Sequence, residues 1–277
     1  MSRMMIQAAV TMNQLQNKLD MIGNNLANSQ TTGYKSRKTE FSSLLFQQMN
    51  NLTDEANLVG RETPDGLRVG SGAKLGTINS DLSIGSLTET GRTLDVALLA
   101  ENMFFQIEVA DDGVTQTQYT RDGSFYLNPM PNSQNVMLTT KDGDPVIGEN
   151  GPIVMADGFD SIDIQSNGQV LVQRGNQTEI AGNLAIVEAV RPRLLEAVGQ
   201  NAFRLPNLEQ LGYNVNEIIQ DVNPAGNLIK SHSLENSNVD IAKQMTDMMM
   251  TQRAYQYNAR TISMSDQMSG LINTIRT

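Results

Sequence analysis

Few residues of the chain have the type and spacing that enzyme chemistry requires. The single histidine, His232, stands in KSHSLENSN with no second histidine to share a metal ion, and nothing supports a catalytic pair with a neighbouring serine. Asp142, Asp144 and Glu149 lie in KDGDPVIGENG, which lacks the alternating oxygen ligands and terminal bidentate glutamate of a calcium loop. A hairpin turn explains these carboxylates better than a metal site.

A glycine-rich segment is the other candidate for chemistry. Residues 69–76 read VGSGAKLG, with glycines spaced one residue wider than in the dinucleotide-binding fingerprint and no strand–turn–helix context. The chain also has no cysteine, which removes thiolate nucleophiles, thiolate metal sites and disulfides. The sequence therefore predicts a flexible turn at 69–76, no cofactor, no metal site and no enzyme.

The strongest pattern is a heptad seam near the N-terminus. Apolar residues recur there in steps of three and four, as in a coiled coil, and turn formers collect just after them, from Asn28 to Gly33. The seam residues are Met5, Ala8, Met12, Leu15, Leu19, Ile22 and Leu26. The pattern predicts one helix over 3–27.

The C-terminal end has the same character. From residue 238 onward there is no proline, one glycine and many good helix formers, which predicts one long helix. Two seams on it indicate several packing neighbours, with an ordinary intramolecular core as the alternative. The first seam is Ile241, Met245, Met248, Tyr255, Ala259 and Ile262, interrupted by Gln252; the second is Met250, Ala254, Tyr257, Met264, Met268, Leu271 and Ile275, interrupted by Thr261. We expect the polar Gln252 to set the register of this helix against a neighbour.

Short β-type runs, separated by Gly, Asp and Asn turns, fill the region between the two helices. They predict antiparallel hairpins. The predicted fold class is α+β, with long N- and C-terminal helices pairing as a coiled coil and a central, antiparallel all-β domain inserted between them. The predicted domains are an N-terminal helix and signature at 1–35, a linking arm at 36–75, the β domain at 76–228 and the C-terminal helix at 229–277.

Charge is distributed unevenly along the chain. The net charge is -10, and residues 76–230 carry 20 acidic and 8 basic side chains. Such a balance argues against nucleic-acid binding, which needs clustered Lys and Arg. We expect the acidic middle to face water while the nearly neutral ends pack against something, although an acidic surface kept for solubility is the simpler alternative.

Targeting signals are not apparent in the sequence. No run approaches 18 apolar residues, and the start MSRMMIQAAVTMNQLQ has no continuous apolar segment before a small-residue cleavage site. Neither membrane insertion nor a cleaved signal peptide is therefore expected.

The polar run at the end of the first helix, NNLANSQTTGYK, resembles the N-terminal signature of the flagellar basal-body rod and hook family. The pattern of that signature is close to N-N-[IL]-A-N-x-x-T-x-G-[FY]-K. The matching residues are Asn24, Asn25, Leu26, Ala27, Asn28, Thr31 or Thr32 by register, Gly33, Tyr34 and Lys35. Their amides and hydroxyls can end the helix and bind backbone groups of a neighbour.

The segment LENSNVDIAKQMTDMMMTQRAYQYNAR resembles the second signature of the same family. The matching residues are Leu234, Glu235, Ser237, Asn238, Val239, Gln252, Arg253, Ala254, Tyr255 and Asn258. The resemblance implies that both signatures, together with the seam residues Met12, Leu15, Leu19 and Ile22, serve assembly.

The middle of the chain resembles the family more loosely, through GSLTETGRTLDVAL and YTRDGSFYLN. One departure concerns residues 97–105, which read ALLAENMFF where the family usually has an A-I-x-G-x-G-F-F turn. Ala100 and Asn102 replace the two glycines. Asparagine tolerates positive φ better than alanine, so we expect a reshaped turn in a diverged paralogue.

The resemblance implies a structural axial subunit of the bacterial flagellum, most like the distal rod that transmits torque to the hook. Its terminal helices would form an inner coiled-coil tube and its β domain an outer layer. The implied partners are further copies of the chain in a helical homopolymer, other rod and hook subunits, and the flagellar type III export apparatus, with no nucleic acid and no small-molecule substrate. The implied location is the basal body outside the cytoplasmic membrane, reached without a cleaved signal peptide.

Two alternatives stay open at this point. One is a hook or rod–hook junction subunit of the same family. The other is a secreted carbohydrate-active or carbohydrate-binding module anchored by the helices, although aromatic residues make up only 5% of the chain and tryptophan is absent.

Overall fold

The structure is a computed structural model. The residues it describes are 3–39, 41–43, 46–49, 67–70, 73–111, 114–131, 133–199, 201–208, 212–222 and 226–275. The chain divides into two compact units. The first unit comprises Met1–Leu26, Arg37–Asn79 and Ile241–Thr277, and the second comprises Ala27–Ser36 and Ser80–Asp240.

The N-terminal helix, α1 (Arg3–Ala27), has the predicted bounds. Its buried apolar residues are Ala8, Leu15 and Ile22, which are spaced by seven and lie on the predicted seam. The helix ends where the polar run begins to turn, with the Thr31 backbone N–H donating to the Asn28 carbonyl at 3.1 Å. The periodicity of the sequence therefore identified both the helix and its protected face.

The C-terminal helix, α3 (Ile241–Ile275), confirms the prediction of one long helix but begins three residues later than residue 238. The reason is that Asn238 is held by hydrogen bonds to Asp81 and Ser83, which keep the preceding residues extended. The buried and half-buried positions of this helix lie along one side of it, and they are Gln244, Asp247, Met248, Thr251, Ala254, Tyr255, Asn258, Ala259, Thr261, Ile262 and Ser265. Gln252 is exposed, and Thr251 beside it is buried.

The strands of the first unit lie between the two helices in sequence. β2 (Phe41–Ser43) pairs with β5 (Ala73–Leu75), and β3 (Phe46–Met49) pairs with β4 (Leu67–Gly70), all antiparallel. Two shorter strands are β1 (Arg37–Lys38) and β6 (Asn79–Ser80). The flexible turn predicted at 69–76 is therefore wrong at 69–70 and 73–75, where strand pairing holds the chain extended, and residues 71–72 lie outside the described residues.

The second unit is built of antiparallel sheets, as predicted for the centre of the chain. A six-stranded sheet has the order β20–β21–β10–β9–β19–β22, and two three-stranded sheets have the orders β11–β12–β15 and β16–β17–β18. The two-stranded sheets are β13–β14, β8–β23 and β7–β24. The strands are β7 (Leu87–Glu89), β8 (Val96–Leu98), β9 (Met103–Asp111), β10 (Val114–Thr120), β11 (Tyr126–Pro129), β12 (Asn135–Thr139), β13 (Ile147–Gly148), β14 (Gly151–Pro152), β15 (Val154–Ala156), β16 (Ser161–Ile164), β17 (Gln169–Arg174), β18 (Gln177–Asn183), β19 (Ile186–Ala189), β20 (Glu196–Val198), β21 (Ala202–Arg204), β22 (Ile219–Asp221), β23 (Ile229–Ser231) and β24 (Ser233–Glu235).

Short helical turns and tight hairpins complete this unit. A 3₁₀ turn covers Pro192–Leu194, and the helix α2 covers Val215–Ile218. Asp142 and Asp144 lie in the predicted turn, which is closed by the Thr140 N–H donating to the Asp144 carbonyl at 2.8 Å. Among the described residues, no group of carboxylates or histidines could hold a metal ion.

The core of the second unit has two parts because adjacent residues of β9 point to opposite faces of the large sheet. Phe105 packs edge-on against Phe125 with ring centres 5.3 Å apart, in the larger cluster. Phe104 packs in the same way against Phe203, also at 5.3 Å, in the smaller cluster. The β unit therefore has an apolar core of its own. None of the described helices is long and apolar enough to cross a membrane.

The turn from β8 to β9 contains Ala100 and Asn102 at the positions where the family usually has glycine. Asn102 has φ +58°, in the left-handed region, whereas Ala100 is not among the residues with positive φ. The Asn102 carbonyl accepts a hydrogen bond from Ala189 N–H at 2.8 Å, which holds the turn against β19. Only one of the two positions therefore needs a residue that tolerates positive φ, and asparagine occupies it.

We predict that Asn102→Ala lowers the free energy of unfolding by about 1 kcal/mol, because alanine has no local hydrogen bond to support a left-handed backbone. Asn102→Gly should match or exceed the parent protein in stability. Urea denaturation measures both, with Glu101→Ala at the neighbouring exposed position as the control. Equal stability of the alanine and glycine variants would contradict the prediction.

Candidate functional site

The N-terminal signature folds into a compact turn that continues into a buried segment of the second unit. Thr31 Oγ1 lies 3.2 Å from Asn28 Oδ1, and Tyr34 N–H donates to the Thr31 carbonyl at 3.3 Å. Tyr34, Lys35 and Ser36 are then almost completely buried. The asparagines and threonines thus turn the chain after α1, and the residues that follow enter the interior.

Gly33 is required at this position by both its conformation and its surroundings. Its φ is +67°, and a Cβ atom added there would lie 2.6 Å from the Arg121 carbonyl carbon and 2.6 Å from the Asp122 nitrogen. Such distances are well inside van der Waals contact with backbone that has no freedom to rotate away. Any side chain would therefore force the N-terminal signature away from residues 121–122.

The C-terminal signature reaches the same place as a bent pair of short strands. β23 pairs with β8, and β24 pairs with β7. His232 lies between the two strands with φ +56°, and this left-handed residue changes the direction of the chain. The Glu235 carbonyl at the end of β24 then accepts a hydrogen bond from Gly33 N–H at 2.8 Å. The backbones of the two signatures are therefore in direct contact.

Three charged side chains meet where the signatures join. Glu235 Oε1 lies 2.6 Å from Lys35 Nζ, and Glu235 Oε2 lies 2.8 Å from Arg121 Nε. The three side chains are at most 1% exposed. We name Lys35, Glu235 and Arg121 the buried charge cluster. Its carboxylate lies between two cations, as a buried pair requires if the charges are to be compensated.

The hydrogen bonds of the buried charge cluster extend into the loops around it. Lys35 Nζ also donates to the Ser83 carbonyl at 2.6 Å, and Gly85 N–H donates to Glu235 Oε1 at 2.9 Å. Arg121 Nη1 donates to the carbonyls of Ala100 and Met103, each at 3.0 Å. Arg121 thereby connects the signatures to the turn from β8 to β9.

Burial lowers the pKa of the Lys35 ammonium from 10.5, and the positive charge of Arg121 lowers it further. Glu235, through its charge and its hydrogen bond, and to a smaller extent the charge of Asp81 raise the pKa, but they do not cancel this effect. One carboxylate shared by two buried cations leaves the cluster with an excess of positive charge. Among the described residues, Glu235 is the only carboxylate within hydrogen-bonding distance of the Lys35 and Arg121 side chains.

Asn238 makes a second connection between the signatures. Its Oδ1 accepts a hydrogen bond from Ser36 N–H at 2.7 Å, and its Nδ2 donates to the Asp81 carbonyl at 2.8 Å. The Ser36 carbonyl accepts from Asp81 N–H at 2.8 Å. Residues 33–36, 81–85 and 235–238 thus share one hydrogen-bond network.

Asn25 of the N-terminal signature makes its hydrogen bonds within the first unit instead. Its side-chain amide donates to the Arg37 carbonyl at 2.8 Å and accepts from Arg37 N–H at 2.9 Å, as a backbone group would in a sheet. Its Nδ2 also lies 3.5 Å from Gln244 Oε1 of α3. This amide therefore ties the end of α1 to the start of the arm and to the first turn of α3.

The predicted site residues separate into distinct groups. Asn28, Gly33, Tyr34, Lys35, Glu235 and Asn238 come together in the second unit, with Leu234, Ser237 and Val239 beside them along the chain and partly buried. Leu15, Ile22 and Asn25 are buried on α1, Met12, Leu19 and Leu26 are partly buried there, and Asn24 and Ala27 are exposed. On α3, Ala254, Tyr255 and Asn258 are partly buried, whereas Gln252 and Arg253 are exposed.

Sequence reasoning missed Arg121, although it is completely buried and binds Glu235. The available signal is the segment YTRDGSFYLN, which resembles the family, but nothing in the sequence links this segment to the signatures. Ser83 and Asp81 gave no signal, because they contribute mainly backbone groups to the network.

Comparison with known proteins matches three family models to the chain. The model for flagella basal body rod proteins matches residues 7–35, that for the D1 domain of flagellar hook proteins FlgE/F/G matches 100–172, and that for the C-terminal part of flagellar basal body rod FlgEFG proteins matches 230–275. The flagellar hook-basal body complex protein FlhP of Bacillus subtilis is 40% identical over 100% of both chains. The chain belongs to the flagellar basal-body rod and hook family. This family consists of structural rod proteins and not of enzymes.

Rod proteins are among the similar relatives. The flagellar basal-body rod protein FlgG of Agrobacterium fabrum is 35% identical over 96% of both chains, and FlgG of Bacillus subtilis is 32% identical over 96% of both. The N-terminal family model ends at Lys35 and therefore contains this residue of the buried charge cluster. The C-terminal family model begins at Lys230 and therefore contains Glu235. Arg121 lies in the hook D1 model. The buried charge cluster thus joins one residue from each of the three matched regions.

We predict that Gly33→Ala destabilises the second unit far more than Gly91→Ala. Both glycines have a similar left-handed backbone, with φ +67° and +71°, so both variants lose about 1–2 kcal/mol from strain. A Cβ at position 91 meets nothing within 4 Å, whereas one at position 33 collides with backbone, which adds about 1–3 kcal/mol. Urea denaturation gives the difference, and equal losses would show that the close approach of Gly33 is relaxed in solution.

We also predict that the parent protein gains stability relative to Lys35→Met as pH rises into the alkaline range. The folded-state pKa of Lys35 lies below 10.5, so between that pKa and 10.5 the unfolded chain binds more protons than the folded one. Deprotonation removes the cost of burying the charge. Denaturation midpoints measured from neutral pH to 10.5 should show the difference between the two proteins shifting toward the parent. A constant difference would contradict the lowered pKa of Lys35 in the folded protein.

Proposed function

We propose that this chain is the repeating subunit of a flagellar axial structure, most like the distal rod, and that it polymerises through its terminal helices into a helical homopolymer. The observation that carries the proposal is the apolar surface of α3. Nine large apolar residues along this helix are between 43% and 66% exposed: Ile241, Met245, Met249, Met250, Tyr257, Met264, Met268, Leu271 and Ile272. A row of this kind is uncommon on a protein that acts alone.

The residues of this row favour helices of neighbouring subunits as the partner. Methionine side chains are flexible and adapt to surfaces of different shape, which suits one helix packed among several others. The protected face of α3 includes the apolar residues Met248, Tyr255 and Ile262, which have the heptad spacing that the seam of α1 also has. The exposed apolar row lies on other positions of α3. We therefore propose that α1 and α3 pair as a coiled coil and that the exposed row binds further copies.

The two units would have different places in the proposed rod. The helices would form the inner tube of the rod, and the acidic β unit, with its own core, would form the outer layer. Both chain segments that lead from the β unit to the helices are held in the network of the buried charge cluster. Torsional load on the helices would thus reach the β unit through two anchored connections rather than through free linkers.

A rod subunit is favoured over a hook subunit by the relatives named FlgG, which align over nearly their whole length. A hook protein with a further inserted domain would be longer than this chain, so the inserted domain would stay unmatched in the alignment. By the same family relationship, we propose a location in the basal body, other rod and hook subunits as partners, and delivery by the flagellar type III export apparatus without a cleaved signal peptide.

The first test changes an exposed residue of the apolar row. Leu271 is 64% exposed, so Leu271→Glu should leave the fold of the monomer unchanged. In an assembly the same carboxylate would be buried without a partner, so we predict loss of swimming and of polymerisation. Circular dichroism, sedimentation and complementation of a deletion strain measure these effects, with Leu271→Met as the matched apolar control. Normal swimming with Leu271→Glu would exclude this part of α3 from the subunit contacts.

The second test concerns Gln252, whose side chain is exposed and available to a neighbouring subunit. A polar residue in an apolar contact fixes register because its amide needs one particular partner. Gln252→Leu should therefore give helices that still associate but form filaments with irregular subunit spacing. Gln256→Leu, outside both predicted seams, serves as the control. Electron microscopy of filaments decides the matter, since unchanged helical symmetry with normal motility would leave Gln252 no role in register.

A further inference from the structure

The buried charge cluster combines residues that are far apart in the chain. Lys35 and Glu235 are separated by 200 positions, and Arg121 and Glu235 by 114. The two cations therefore precede their carboxylate in the order of synthesis. We propose that Glu235 closes a latch, so that residues 27–36 dock on the β unit only when residues 233–238 are in place.

The contacts of the N-terminal segment support this order. Gly33 N–H donates to the Glu235 carbonyl, Lys35 Nζ binds the Glu235 carboxylate, and Ser36 N–H donates to Asn238 Oδ1. Without residues 233–238, all three donors lose these partners in a buried position. A buried N–H or ammonium without an acceptor opposes docking, because water would satisfy it in the released state.

The remaining neighbours of the segment depend on the same residues. In the loop at 81–85, the Asp81 carbonyl accepts a hydrogen bond from the Asn238 side-chain amide, and Gly85 N–H donates to the Glu235 carboxylate. Asn236 N–H donates to the Ser86 carbonyl at 2.9 Å, which extends the same attachment. The loop that flanks residues 33–36 is therefore itself held by the C-terminal segment.

Electrostatics makes the closure dependent on the carboxylate in particular. Lys35 and Arg121 both contact Glu235 and are buried, so removing its negative charge leaves two buried like charges, and the charge of Asp81, which also acts on Lys35, is a smaller influence than that of Glu235. Release of residues 27–36 returns Lys35 to water and relieves the repulsion. The β unit keeps its two apolar clusters, neither of which includes a residue of 27–36.

The latch has a consequence for the unfinished chain. Until residues 233–238 join the fold, residues 27–36 remain accessible to solvent and to other proteins, even if strands of the β unit have begun to pair. The latch does not depend on the flagellar function proposed above, so it can fail while that function holds, and the reverse is also true.

The first test uses the unmodified protein and native-state hydrogen exchange. If residues 27–36 open as a separate unit, the N–H groups of Gly33 and Ser36 exchange at least about tenfold faster than that of Leu138, which donates to Ile153 in the core. Their exchange should also depend less on added denaturant. Exchange of all three groups by the same global opening would overturn the latch.

The second test exploits the absence of cysteine from the chain. Ser36→Cys places a reporter thiol in the docked segment, where Ser36 is 3% exposed, and Val172→Cys places one in the core, where Val172 is 1% exposed. Each is combined in the full chain with Glu235→Gln or with the control Glu89→Gln on the exposed strand β7, and the rate of reaction with a thiol reagent is measured.

We expect Glu235→Gln to speed labelling at position 36 by at least about tenfold while labelling at position 172 stays within about twofold. Glu89→Gln should change neither rate, because Glu89 pairs with Lys230 at the surface. Acceleration at both positions with Glu235→Gln would mean that the segment and the core unfold together, and acceleration at neither would mean that docking does not need the carboxylate. Either result overturns the proposal.

A compensating variant separates charge from packing. Adding Lys35→Met to Glu235→Gln removes one of the two uncompensated cations and should slow labelling at position 36 relative to Glu235→Gln alone. A purely steric role for Glu235 predicts no such rescue, because the second substitution would only remove a further contact.

Discussion

The carboxylate of Glu235 is the interaction that joins the two terminal signatures within the second unit. It binds the Lys35 ammonium and the Arg121 guanidinium at 2.6 and 2.8 Å, and it accepts the backbone N–H of Gly85. Through these partners it joins the segment after α1, the loop before β7, the turn from β8 to β9 and the segment before α3. Because Lys35 and Arg121 are buried and Gly85 is partly buried, removing the carboxylate would take an acceptor from three donors at once.

A buried ion cluster adds little to stability, because removing three charges from water costs about as much free energy as their mutual attraction returns. Apolar side chains at the same three positions could pack in several ways, whereas the carboxylate fixes the positions of both cations through short contacts, with Arg121 Nη2 left buried without a hydrogen-bond partner among the described residues. Gly33 adds a steric limit, since any Cβ would collide with residues 121–122. Charge and close packing together define one position for the N-terminal signature on the β unit.

The two units differ in how completely they bury their apolar residues. The β unit contains two apolar clusters, built on opposite faces of the six-stranded sheet around Phe104 and Phe105. The C-terminal helix leaves a long row of methionine, leucine and isoleucine side chains exposed. Acidic residues in the middle of the chain oppose close approach of neighbouring β units in water of low ionic strength. This distribution agrees with the proposed assembly through the helices, where apolar surface is exposed and the charge of the chain ends is nearly balanced.

The sequence by itself determined the features that depend on neighbouring residues along the chain. Heptad spacing predicted α1 with its buried Leu15 and Ile22, turn residues predicted antiparallel hairpins, and the two terminal signatures identified the family. Tertiary structure alone decided which distant residues meet. Nothing local shows that Lys35 and Arg121 share Glu235, because the contacts span 200 and 114 positions. Likewise, periodicity offered two seams on α3, but one residue is a rotation of about 100° on a helix, so only the neighbouring structure determined that Thr251 is buried while Gln252 faces outward.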